Sequence, residues 1–70
     1  MKRYLVIIEK AKANYSAYSP DLPGCVATGR TRASVQKNIR AAIRMHVSGL
    51  REDGLSLPTV RTSAEYVSVE

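Results

Sequence analysis

The sequence predicts one small α+β domain of order βββαβ: an antiparallel three-stranded meander, one long helix on one sheet face, and a final short strand. Three observations predict it. Residues 3–29 fall into short runs rich in Val, Ile, Tyr and Thr, separated by turn residues. From Thr31 onward the apolar spacing changes to threes and fours, the period of a helix. After a proline-containing loop, residues 64–69 return to a strand-like composition. The chain has 70 residues, enough for one domain and no more. A domain this short buries only about 60% of its unfolded surface and often gains stability by association.

Each element has its own warrant. Residues 3–9, "RYLVIIE", read as a strand apolar on both faces, with Tyr4, Val6 and Ile8 on one side and Leu5 and Ile7 on the other. Such a strand expects cover on both faces, and one helix covers only one, so a second chain is the simplest cover for the other. Residues 10–13 form a hairpin connection, and residues 14–19, "NYSAYS", a second strand that Pro20 ends. Asp21 and Pro23-Gly24 supply turn chemistry, and residues 25–29, "CVATG", a third strand. Thr31 suits a helix N-cap. Val35, Ile39, Ala42, Ile43, His46, Val47 and Leu50 then form an apolar stripe over a helix of about 32–52, with Gly54 just past its end. Such a helix is roughly 31 Å long and overhangs strands of this size. Residues 55–63 are a loop. A right-handed crossover returning parallel places the last strand beside the first, in the sheet order 3-2-1-4.

Composition narrows the function. Apolar residues make up 44% of the chain, yet Phe and Trp are absent, so Val, Ile, Leu, Ala and four Tyr must build the core. A single Cys forms no internal disulfide, which points to a reducing compartment. The apolar run near the start is too short for a signal peptide or a membrane span. A soluble cytoplasmic protein with no membrane partner is expected. The six acids, Glu9, Asp21, Glu52, Asp53, Glu65 and Glu70, are scattered, so no metal site, cofactor or catalytic carboxylate cluster is expected. Cys25 and His46 read as packed residues rather than as nucleophile and base. Asp21 reads as an acceptor for local backbone N–H groups, with a partner contact as the alternative.

Charge is the anomaly. Eleven Lys and Arg against six Asp and Glu give a net charge of +5. Six basic residues and no acid lie between Arg30 and Arg51. Lys37, Arg40, Arg44 and Arg51 share one helix stripe and forgo the i,i+4 pairs that mixed signs provide. The stripe is read either as a solvated face whose cations meet acids of another subunit, or as a phosphate-binding surface.

The run "YSAYSPDLPGCVATGRTRASVQKNIRAAIRMHVSGLREDG" resembles the HicB-like antitoxin family. The pattern is a strand, then "SPDLPGC.A.G.T", then a helix with "N…AI..H…L.E.G" and a proline beyond it; the resemblance extends over about residues 3–69. It implies a partial ribonuclease-H-like βββαβ unit. It also implies binding of a small HicA-type toxin, an mRNA interferase, by dimers or larger assemblies. Many members carry a DNA-binding domain after this unit, whereas this sequence stops at Glu70. The segment Gly29-Arg30-Thr31-Arg32 is basic where relatives are commonly acidic. The expected function is therefore non-enzymatic occlusion of a toxin, with Tyr15, Tyr18 and Leu22 as anchors and Asp21 beside them. Two other readings stay open: a nucleic-acid-binding module using the basic stripe, and a structural oligomer.

Overall fold

The computed structural model describes residues 2–70. The chain runs through β1 (Ile7–Lys10), β2 (Tyr15–Tyr18), β3 (Val26–Gly29) and α1 (Arg32–Glu52). The strands form an antiparallel sheet in the order β1-β2-β3. The register aligns Ile8, Ala17 and Ala27 in one row and Ile7, Tyr18 and Val26 in the next. Strand alternation turns the first row toward the helix and the second away from it.

β1 is shorter than the expected strand over 3–9. Its partner β2 ends at Tyr18, two residues before Pro20, which has no N–H for a ladder. Residues 4–6 continue the path without pairing. The buried Ser19 hydroxyl holds them by donating to the Leu5 carbonyl at 2.9 Å. The first hairpin closes where the Ala11 amide donates to the Asn14 carbonyl at 2.8 Å.

The helix spans the residues that the apolar period predicts. The Thr31 side chain accepts from the Ser34 amide, and the Ser34 hydroxyl accepts from the Thr31 amide, both at 3.0 Å. This reciprocal box satisfies two of the helix's unpaired N–H groups. Gly54 follows the Asp53 cap at φ 69°, the left-handed conformation that glycine adopts most readily. Gly29 decides how helix and sheet meet. A β-carbon there would lie 2.5 Å from both the Ser34 Oγ and the Val35 backbone nitrogen. Only the absence of a side chain lets β3 run so close under the first helical turn.

Ala17, Leu22, Cys25, Val35 and Ile39 form the buried core. Tyr4, Val6, Ile8, Tyr15, Ala27, Ala42 and Ile43 pack partly against it. The helix rests mainly on β3 and less on β2, so the inner side of β1 is only half covered.

The expected fourth strand over 64–69 is not formed among the described residues, and with it the order 3-2-1-4 is not reached. Tyr66, Val67 and Val69 are largely exposed to solvent. A strand gains its hydrogen bonds only from a neighbour, so strand-forming side chains alone do not fold it back. The radius of gyration is 13.6 Å, against about 11 Å for a compact chain of this length.

Gly29→Ala should cost about 1–3 kcal/mol of stability, since the helix must lift off the strand. Gly49 lies in the helix with open space around it, so Gly49→Ala should be neutral or stabilising by up to about 1 kcal/mol. Urea unfolding of the two variants beside the parent checks both.

Candidate functional site

The β2–β3 corner closes with main-chain bonds. The Leu22 amide donates to the Ser19 carbonyl, the Cys25 amide to the Leu22 carbonyl, and the Ser19 amide to the Cys25 carbonyl. Gly24 at φ 82° makes the reversal possible. The Asp21 carboxylate takes no part in these bonds. It instead accepts from the Thr62 hydroxyl at 2.9 Å and the Thr62 amide at 3.3 Å. The local role expected for Asp21 is thereby corrected: it clamps a segment 41 residues further along the chain. Burial on its own would raise the Asp21 carboxyl. The Thr62 hydroxyl and amide, the Arg61 backbone and the Arg61 charge outweigh that and hold it below the ordinary 3.8. A second tie lies close by, where the Tyr4 hydroxyl donates to the Pro58 carbonyl at 2.9 Å.

Of the residues expected to meet a partner, the structure keeps one well exposed. Leu22 is 0% exposed and fills the core, so a partner reaches its side chain only by opening the fold. Tyr15 is half-buried on the helix side of the sheet. Tyr18 is 41% exposed on the face that no helix covers. There it stands between Ile7 and the still more exposed Val26, its register partners. This apolar row, flanked by Ser16 and Thr28, is the candidate protein-binding face. Sequence reasoning passed over Val26, although its place as the first residue of β3 sets it opposite Tyr18.

The basic stripe divides. All four of its residues are exposed. Arg40 and Arg44 join Lys2, Arg3 and Arg32 around a groove between residues 2–8 and α1. The groove has a volume of about 740 Å³ and an apolar floor of Tyr4, Val6, Ile8, Ile39 and Ile43. No carboxylate lines it. Lys37 does not line it, and Arg51 stands roughly 16 Å beyond Arg40 along the helix axis. At the other end of β1, Lys10, Lys12, Arg30 and Arg32 surround the start of α1, whose first turn carries no acid.

Cys25 is buried, and desolvation pushes its thiol up, so it is a neutral thiol at neutral pH. His46 is half-buried on the helix, as its place in the apolar stripe predicts. No group of three or more His, Cys, Asp or Glu side chains among the described residues is placed to hold a metal ion. No described helix is long and apolar enough to cross a membrane.

The depressed Asp21 carboxyl makes the clamp acid-labile. Its stabilising contribution is complete above 3.8 and is lost as pH falls through the lower, folded-state value. The Thr62 amide should titrate with that carboxyl, at a midpoint below 3.8, in two-dimensional NMR. In Asp21→Asn this titration should vanish and amide protection at 61–63 should fall.

The fold is similar to a solved structure described as the HicA3 and HicB3 toxin-antitoxin complex, with a TM-score of 0.70 and 32% identity over 86% of this chain and 70% of that one. A UPF0150 protein of Thermoplasma acidophilum is 35% identical over 96% of each chain. Another UPF0150 protein, from Helicobacter pylori, is 33% identical over 81% of this chain and 79% of its own. The family described as HicB-like antitoxin of bacterial toxin-antitoxin system matches residues 4–70. The corner, the helix and the strands around them thus lie within one continuous match, and the chain belongs to the HicB-like antitoxin family.

Proposed function

We propose that the protein is a non-enzymatic cytoplasmic antitoxin that binds a small RNA-cleaving toxin of HicA type and covers its RNA site. The observation that carries this reading is the likeness, at 32% identity, to a structure described as a toxin-antitoxin complex. The binding surface in this reading is the uncovered sheet face, with Tyr18 and Val26 as its anchors. Aromatic side chains at the centre of a patch contribute disproportionately to binding. A toxin that holds phosphates is itself expected to be basic, and this chain carries +5. Long-range attraction is therefore absent, and affinity comes from contact and shape. The protein acts as an oligomer, and its meander and helix are the core of a partial ribonuclease-H-like unit that the last strand completes.

The cations give the competing reading a specific basis. All four stripe residues are exposed, and two of them, Arg40 and Arg44, stand with Lys2, Arg3 and Arg32 around an anion-attracting groove. A nucleic-acid module using Lys37, Arg40, Arg44 and Arg51 would make four phosphate contacts. Its affinity would fall with salt at a log–log slope of about −3.6 on duplex DNA or about −2.8 on single strands.

The test is co-purification with a HicA-type toxin encoded beside this gene, after nuclease treatment, together with an RNA-cleavage assay. A nuclease-resistant complex that arrests cleavage is the expected result. Tyr18→Ala should weaken it by about 2 kcal/mol, roughly thirtyfold. Arg40→Glu with Arg44→Glu should leave toxin affinity nearly unchanged. Retention of nucleic acid alone, lost in that double variant and obeying the steep salt slope, would overturn the antitoxin reading.

A further inference from the structure

Three features described separately fit one another. The outer edge of β1 is an unpaired sheet edge. The groove with its apolar floor and five cations lies on the helix side of residues 2–8, which lead into β1 and share Ile8 with it. At the end of the chain, residues 64–70, "AEYVSVE", are exposed and unpaired, with strand-forming composition and two carboxylates. Alternation places Glu65, Val67 and Val69 on one face of such a strand and Tyr66, Ser68 and Glu70 on the other. Either face therefore brings apolar surface together with one carboxylate. The groove offers the complement, apolar below and positive at the rim.

The chain does not fill its own groove. Asp21 holds Thr62 at the β2–β3 corner, and residues 63–70 beyond that anchor are exposed and form no strand. We infer that the groove is the docking site for the C-terminal segment of a second copy, which adds residues 64–69 as a strand along the free edge of β1. The exchange is reciprocal: each copy gives a tail and receives one, which makes a closed two-fold dimer. Backbone hydrogen bonds along the β1 edge supply affinity. Val67, Val69 or Tyr66 on the floor buries apolar surface that water now covers. The carboxylate on the groove face, Glu65 in the strand or Glu70 at its end, meets the rim arginines and sets the direction of the strand. The dimer also completes, between molecules, the fourth strand that a single chain leaves undone. This inference rests on the oligomeric part of the reading above and is independent of toxin binding.

The test exchanges the charges. One variant carries Glu65→Lys and Glu70→Lys, the other Arg40→Glu and Arg44→Glu. All four positions are exposed, so the monomer fold tolerates them, and circular dichroism checks that it does. Sedimentation equilibrium should find the parent chain dimeric at micromolar concentration, more weakly so as salt rises. Each variant alone should dimerise at least about tenfold more weakly. Mixed in equal amounts, the two variants should form a heterodimer of near-parental affinity. In that heterodimer a lysine tail meets a glutamate groove, and a native tail meets a native groove. Amides of residues 66–69 should become protected from exchange in the parent dimer. A monomeric parent overturns both this inference and the oligomeric reading. A parent dimer that persists unchanged in both variants, or variants that weaken yet fail to associate when mixed, overturns the groove assignment and leaves the oligomeric reading standing.

Discussion

One helix laid over three short strands is the constraint on which the rest of this molecule depends. The contact is set at Gly29, where β3 passes so close beneath α1 that no side chain fits between them. Because the helix is pinned at that edge, it sits over β3 and β2, and β1 is left half covered. The groove between residues 2–8 and α1 follows from this off-centre packing; the uncovered sheet face and the unpaired β1 edge follow from having one helix and three strands. Among the described residues no further helix or strand closes them.

The corner between β2 and β3 serves the same arrangement from the opposite end. Leu22 reaches inward to the core, while Asp21 reaches back to Thr62. Two adjacent side chains thus join the β2–β3 corner both to the packed interior and to the segment around Thr62. An apolar residue in a turn suggests a binding anchor, because turns are usually solvated. Here the turn folds inward, and the exposed apolar surface passes to Tyr18 and Val26 on the strands.

How much of this was legible in the sequence follows from the range of each interaction. The helix was legible to the residue, because its period, Thr31 and Gly54 are all local signals. The meander was legible from Pro20, Pro23-Gly24 and the β-branched runs, apart from where β1 begins to pair. That boundary depends on the length of its partner. The Asp21–Thr62 clamp was not legible, since nothing near Asp21 in sequence marks a residue 41 positions away. The division of the basic stripe was hidden for the same reason. Arg40 and Arg44 become groove residues only once Lys2 and Arg3 lie opposite them. The tail carries the composition of a strand, but composition does not say which chain supplies its neighbour.

The off-centre helix also grades the sheet in stability. β3, β2 and α1 form one packed unit. β1 joins this unit chiefly through β2, and the helix does little to hold it. The sheet therefore has a firm edge and a loose edge, and spontaneous opening begins at β1. A molecule that docks along β1 captures the strand the domain itself retains least, and thereby slows the opening of the whole fold.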